Sequence, residues 1–294
     1  MKPLLERLND DILICDGAMG TMLIEKGMPE GECPDYWGIK NFKVLRSIHD
    51  EYINSGADMV ITNTFGANWI KLKKYGLEKK LDEINRTAVE VARESAAGRS
   101  YVLGEIGPTG EYLAPIGSIQ LEEMFRVFVD QVKSLEESGV DAIILNTFSD
   151  IGELKVAIKA VKDNSKLPLI ASMTFQRLDI KGFRTTSGIT IAQFVSEGLL
   201  AGSDIIGANC SVIGSDIADI VSEIRALEPV YIIAAPNAGM PRLDNGKTLY
   251  DESPDSFAKN IPKIIDAGAN IIGGCCGTTP EHIRKIREFL RSKL

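Results

Sequence analysis

The sequence predicts a (β/α)8 barrel, and three observations lead there. Eight short, β-branched apolar runs recur along the 294 residues, at 11–15, 58–61, 101–104, 142–145, 167–173, 204–208, 230–234 and 270–273. Apolar runs of this length suit strands buried on both faces, as in a parallel sheet. Stretches of helical periodicity lie between them. Four of the runs are entered through one small unit, Gly56-Ala-Asp, Gly139-Val-Asp, Gly202-Ser-Asp and Gly268-Ala-Asn. A glycine there suits the residue that closes a helix before the chain turns into the next strand. Alternating βα units of this number and length make one barrel, with a doubly wound open sheet as the alternative that strand counting leaves open.

Each element has its own warrant. Segment 121–138 carries Met124, Phe125, Phe128, Val132 and Leu135 along one helical face. Further helical patterns run over 81–97, 150–162, 191–200, 216–227, 254–266 and 280–294. The last strand ends in Gly273-Gly-Cys-Cys-Gly277, then a Thr pair and Pro280. It reads as a thiol-bearing loop and a helix capped by Thr278 or Thr279, with proline at its first position. Adjacent side chains of an ideal strand point to opposite faces, so the glycines are what let both sulfurs turn the same way. No linker-like or low-complexity tract divides the chain, which predicts a single domain over residues 1–294.

Composition excludes some function classes. Apolar content of 44% and charged content of 25% are ordinary for a globular protein. A net charge of −8 argues against a nucleic-acid partner, which demands a basic face. The amino-terminal stretch is broken by charges every few residues, and no run is long enough to span a bilayer, so a cytoplasmic enzyme with no membrane partner is expected. Five cysteines, an odd number, predict reduced thiols or metal ligands rather than a disulfide framework.

In a barrel the loops after the strands gather at one rim, where barrel active sites sit. Cys210 then meets Cys275 and Cys276. Three thiolates with one open position form a reactive zinc pattern. By spacing alone, a zinc site, ordinary buried or surface thiols, and a strained vicinal disulfide all stay open.

The rim loops together are more specific. Asp16-Gly-Ala-Met-Gly-Thr21, Asn63-Thr-Phe-Gly66, Gly107-Pro-Thr-Gly110, Asn209-Cys-Ser211, Pro236-Asn-Ala-Gly239 and Gly273-Gly-Cys-Cys-Gly-Thr-Thr-Pro-Glu-His282 resemble the homocysteine S-methyltransferase family. The likeness runs from about Leu13 to the last helix. It is nearest to the homocysteine-binding module of cobalamin-dependent methionine synthase, with betaine–homocysteine methyltransferase more distant. The resemblance implies a zinc-bearing (β/α)8 barrel with Cys210, Cys275 and Cys276 as ligands. It implies methyl transfer to a zinc-bound thiolate, with homocysteine as the small thiol substrate and methionine as product. A free thiol has a pKa of about 8.5, and coordination favours its deprotonated, nucleophilic form.

The resemblance also implies that Asp16 pairs with the substrate's amino group and that backbone N–H groups near Gly17 and Ala18 receive its carboxylate. One departure stands out. The family's fourth-strand loop typically carries Glu where this chain has Asn146, followed by Thr147 and Phe148. An amide brings no charge, and charge-assisted hydrogen bonds are roughly twice as strong as neutral ones. A different thiol or methyl donor is therefore the alternative, and Glu105 in the neighbouring loop is the candidate to compensate. Asn63, Thr64, Ser172 and Asn209 are further candidates for the pocket. Asn237 is a candidate oxygen ligand when substrate is absent.

Nearness to the methionine synthase module implies methylcobalamin on a corrinoid protein, supplied in trans. S-methylmethionine, S-adenosylmethionine and betaine-like onium compounds are rival donors. A zinc-storing or thiol-binding barrel without turnover is a reading of another class, and so is a barrel lyase or aldolase. Of the other residues, Cys15 is expected as a buried small hydrophobe and Cys33 as an incidental loop thiol. His49 and His282 are expected in structural roles. Lys71-Leu-Lys-Lys74 and Lys79-Lys80 read as a solvated basic face, with docking to an acidic protein as a lesser reading.

Overall fold

Eight strands run parallel in the computed structural model, which describes residues 1–178, 182–244 and 247–292. They are β1 (Leu13–Ile14), β2 (Met59–Ile61), β3 (Tyr101–Ile106), β4 (Ala142–Phe148), β5 (Leu169–Met173), β6 (Ile205–Asn209), β7 (Tyr231–Ala235) and β8 (Ile271–Ile272). Their order in the sheet is β1-β8-β7-β6-β5-β4-β3-β2. A parallel bridge between Cys15 and Met59 joins β1 to β2. Two hydrogen bonds flank it, Asp16 N–H to Met59 O (3.0 Å) and Asp58 N–H to Ile14 O (2.7 Å). The sheet thereby closes on itself, and all eight predicted strands are present.

The period of two along each strand sorts the apolar side chains. Leu13, Met59, Leu103, Ile144, Ile170 and Ile233 fill the barrel interior. Their strand neighbours Ile14, Val60, Val102, Ile143, Ala171 and Ile232 pack outward. The helices that receive them are α1 (Phe42–Asn54), α2 (Leu81–Ala96), α3 (Leu121–Glu137), α4 (Ile151–Asn164), α5 (Ile191–Ala201), α6 (Gly214–Leu227), α7 (Pro254–Ala258 continued by Ile261–Asp266) and α8 (Pro280–Ser292). Helix starts are capped where the sequence offers acceptors. Asp150 accepts from the Glu153 N–H, and Thr190 forms a reciprocal box with Gln193.

The predicted helix over 254–266 is broken at 259–260. Pro262 has no N–H to give the Ala258 carbonyl and its ring crowds that carbonyl, so the helix restarts at Ile261 with proline in its first turn. The end of the predicted last helix, 293–294, lies outside the described residues. A short helix, Leu4–Arg7, plugs the end of the barrel where the strands begin. Its Leu4, with the following Leu8, joins the interior cluster. Two phenols pin this segment, Tyr101 donating to Lys2 O and Tyr231 to Asn9 Oδ1. The loops at the opposite rim carry extra structure: helices Gly20–Glu25, Pro34–Lys40 and Trp69–Lys73, and two hairpins, Gln176–Arg177 with Phe183–Arg184 and Arg242–Asp244 with Lys247–Leu249.

Candidate active site

The thiols are aimed by backbone conformations that most side chains avoid. Directly after β6, Cys210 (φ +60°) and Ser211 (φ +53°) both take the left-handed region, which is costly for an L-residue and tends to be kept only where function needs it. The Cys210 N–H still reaches Ala235 O (3.1 Å), and Val212 N–H turns back to Cys210 O (2.7 Å). Beyond β8, the N–H groups of Gly273, Gly274 and Cys275 donate to Ala234 O, Asp16 O and Pro236 O, so the loop stays stitched between β1 and β7. Gly274 is required by close approach: a Cβ there would lie 2.4 Å from Thr278 Oγ1. Gly277 turns the chain at φ +80°.

As a result Cys210, Cys275 and Cys276 bring their sulfurs within 4.8 Å of one another, with Cys210 Sγ 3.9 Å from Cys276 Sγ. Sulfurs placed tetrahedrally at about 2.3 Å from one ion would stand about 3.8 Å apart, so the triad has the dimensions of a metal site. The amide of Asn237 reaches Cys210. Asn237 itself is buried, and its Oδ1 has no hydrogen-bond partner among the described residues. Three sulfurs form a donor set that could hold a metal ion, and the orphaned oxygen sits on a side chain that touches one of them. Hydrogen bonds from Cys275, then Cys276, favour the thiolate of Cys210, and the same bond holds Cys275 protonated. Tyr250 donates to Cys276, and burial followed by the neighbouring thiols pushes its phenol up.

The triad opens on a cavity of about 620 Å³ whose lining includes Gly17, Ala18, Asn63, Glu105, Asn146 and Thr147 together with all three cysteines. Asn209 ties its parts together. Its Nδ2 donates to Thr147 Oγ1 (2.7 Å) and lies 3.7 Å from Cys275 Sγ, while its Oδ1 accepts from the Thr147 N–H (3.0 Å) and Ser172 Oγ (2.7 Å). Ser172 thus reaches the site through Asn209 and does not itself line the cavity. Thr147 sits at φ +64° where the register of β4 shifts, and that irregularity turns Asn146 toward β3. Asn146 Nδ2 donates to Glu105 Oε1 (2.7 Å). Burial pushes the Glu105 carboxyl up to about 7, partly offset by that amide.

Asp16 lies beneath the lining. Its Oδ2 accepts from the Ile61 N–H (2.9 Å), Cys15 Sγ stands 3.5 Å from Oδ1, and burial holds its carboxyl well above the usual range. Ala18 N–H is already given to Thr278 Oγ1 (3.0 Å), whereas the Gly17 N–H makes no internal hydrogen bond among the described residues. The cap place of the last helix thus falls to Thr279, next to Pro280, while Thr278 braces the first and last loops. Thr278 also donates to Cys275 O, and Tyr52 donates to Ala18 O (2.8 Å) and Thr278 O (3.1 Å) across the same junction. Asn63 lines the cavity and donates to Pro34 O (2.9 Å). Thr64 is buried, donating to Glu105 O (2.7 Å).

Three residues differ from expectation or went unnoticed. Lys71 does not belong to a solvated face. It is half-buried against the cavity with Nζ 4.4 Å from the centre of the Phe65 ring, and burial lowers its pKa. Lys73 and Lys74 beside it are exposed, a difference invisible in a run of lysines. Cys33 lies in the loop before Pro34–Lys40 as expected, yet is buried, packing in a satellite core with Ile39, Leu72 and Ile84. Tyr250 carried no sequence signal beyond its nearness to the hairpin. His49 is wholly buried, and His282 bonds Thr279 and Glu252 O, both inside the packing. Among the described residues no helix is long and apolar enough to cross a membrane.

Comparison with known proteins agrees with this geometry. The sequence profile of the family described as homocysteine S-methyltransferase matches residues 13–290. Methionine synthase of Mycobacterium leprae (strain TN) is 29% identical over 308 aligned positions covering 96% of this chain, yet the chain spans only about a quarter (24%) of that protein's length. The metallated homocysteine methyltransferase MmuM of Escherichia coli superposes with a TM-score of 0.82 at 23% identity, covering 98% of this chain and 100% of that one. A methyltransferase from Methanosarcina mazei shares the fold at a TM-score of 0.64 and 10% identity, covering 99% of this chain and 98% of its own. With the family's sequence pattern extending over nearly its whole length, this chain belongs to the homocysteine S-methyltransferase family.

Proposed function

We propose that this protein, read as one domain over residues 1–294, transfers a methyl group to the thiol of homocysteine to give methionine. In this reading zinc is held by Cys210, Cys275 and Cys276, and the donor is methylcobalamin on a separate corrinoid protein. The observation that carries the reading is the convergence of three sulfurs, from segments 65 residues apart, on one wall of an open cavity. Zinc bound by three thiolates supplies a Lewis acid that favours the deprotonated form of an incoming thiol.

The chain's own residues supply the rest. Asn209 and Tyr250 hydrogen-bond the sulfurs of Cys275 and Cys276 and fix their orientation, the kind of outer support that tunes a metal's ligands. Asn237 Oδ1 lies ready as a further donor when no thiol is present. Gly17 offers its free N–H to the substrate carboxylate. The methyl carbon passes to the substrate sulfur while cobalt keeps the electron pair of the broken bond. Five free cysteines among the described residues fit a reducing, cytoplasmic setting.

The test is anaerobic. Zinc-loaded protein is mixed with methylcobalamin and homocysteine, loss of the methyl–cobalt bond is followed in the visible spectrum, and methionine is quantified. Methionine formed in step with demethylation is expected. Stoichiometric zinc with no methionine from any donor would overturn transfer and leave a thiol-binding barrel.

A further inference from the structure

One wall of the cavity carries a carboxylate that no cation among the described residues touches. Glu105 closes β3 and is only 8% exposed. Its backbone is fully committed: the N–H donates to Thr62 Oγ1 (3.0 Å), and the carbonyl accepts from Thr64 Oγ1 (2.7 Å) and Gln131 Nε2 (3.4 Å). Only the side chain is left to face the cavity. One carboxylate oxygen takes the Asn146 amide at 2.7 Å, and among the described residues no other hydrogen bond and no ion pair reaches it. Two bases line the same cavity and neither pairs with Glu105: Lys71 is stacked over Phe65, and Lys74 faces Glu111 at 3.7 Å. Asp16 and Asp35 are the other buried acids nearby, and burial favours the neutral form of each.

A carboxylate shielded from water and left without a cation is costly, and the deficit is removed if a ligand brings the cation. The neighbour's identity matters too. A second acid at position 146 would repel Glu105 and force one of the two to hold a proton. An amide instead anchors one oxygen and leaves the other free. We infer that Glu105, positioned by Asn146, receives the ammonium group of an α-amino thiol and so selects amino-bearing thiols over amino-free ones. The inference rests on the reading above that this cavity accepts a thiol at the three cysteines. Glu105 is then the substrate-binding residue, and Asn146 acts through it.

Titration calorimetry on zinc-loaded protein tests this with homocysteine and with 4-mercaptobutyrate, the same skeleton without the amino group. The wild-type protein should favour homocysteine by roughly ten- to a hundredfold, the range expected of a hydrogen bond to a charged group. Glu105→Gln should remove most of that preference. Asn146→Ala should reduce it by less, and in turnover both changes should act on KM for homocysteine more than on kcat. Equal affinities in the wild-type protein, or a Glu105→Gln variant weakened equally toward both thiols, would overturn the assignment. Selective binding without methyl transfer would overturn the transfer reading alone, and transfer without selectivity would overturn this one alone.

Discussion

At the end of the barrel where helices hand over to strands, the tight turns are made by glycine: Gly56, Gly139, Gly202 and Gly268 all sit at φ between +85° and +111°. At the opposite rim, where strands hand over to helices, Thr147, Cys210 and Ser211 take the left-handed region despite their side chains. The interiors differ in the same sense. Beneath the glycine turns, Leu4, Leu8, Leu13, Ile144 and Ile271 form a closed apolar plug, each 4% exposed or less. Under the rim, three thiols and a buried carboxylate face open space, and the Asn237 oxygen is buried without a hydrogen-bond partner among the described residues. One end is arranged to minimise local cost. The other accepts local cost at the residues whose side chains do chemistry, which is how strain at a functional site is recognised.

The sharpest way to probe that division is to remove one sulfur. Cys210→Ala should lower zinc affinity by more than the 10- to 100-fold typical of losing an outer-shell partner, taking methyl transfer with it. The thermal midpoint of the metal-free protein should barely move. Zinc content after dialysis, set beside the apo melting curve, measures both halves. A variant that kept full zinc and full activity would remove the triad from the site.

Next in size comes the closed end. Ile144→Ala, in the plug, should cost about 2–5 kcal/mol of unfolding free energy by leaving a cavity. Below its melting point it should still bind zinc stoichiometrically. Urea titration gives the first number and metal analysis the second. If zinc were lost in the native protein as well, the two ends would not be separable.

Much of this division was legible in the sequence, for physical reasons. The glycine-led units and β-branched runs marked all eight strands, because strands buried on both faces leave no room for polar residues. The meeting of Cys210 with Cys275 and Cys276 followed from barrel connectivity. What could not be read were orientations within polar runs. Lys71 and Lys74 differ by less than a helical turn in sequence, yet one is packed on Phe65 and the other is exposed. Likewise, Ala18 and Gly17 looked equivalent as donors until Thr278 was seen to occupy Ala18. The pairing of Asn146 with Glu105 depends on the register shift in β4, which no local pattern announces.

A smaller effect follows from that pairing. The Glu105 carboxyl is raised by burial to about 7, against about 4.3 unfolded. Its share of stability is therefore complete below about pH 4.3 and is lost as pH rises through about 7. The groups facing it are Asp16, Asp35 and Cys276, which oppose ionisation, and the Asn146 amide and Lys71, which favour it. The metal-free wild-type protein should lose thermal midpoint between pH 5 and 8 faster than Glu105→Gln does. Parallel curves would show that Glu105 ionises as freely as a surface acid, and the contrast between the ends would lose its electrostatic half.

The smallest effects test the backbone contrast directly, by exchanging the rule at each end. Gly202→Ala, at φ +111°, should cost about 1–2 kcal/mol, since alanine resists the conformation that α5 needs to end. Ser211→Gly should do the reverse, relieving a left-handed residue at φ +53° for a gain of about 0.5 kcal/mol once glycine's greater freedom in the unfolded chain is subtracted. The same freedom should loosen the turn that aims Cys210, so zinc affinity should fall as stability rises. Urea titration and competition with a zinc chelator measure the two quantities on one preparation. Stability and zinc affinity rising together would mean that the strain at Ser211 contributes nothing to the site, and that serine there is merely tolerated.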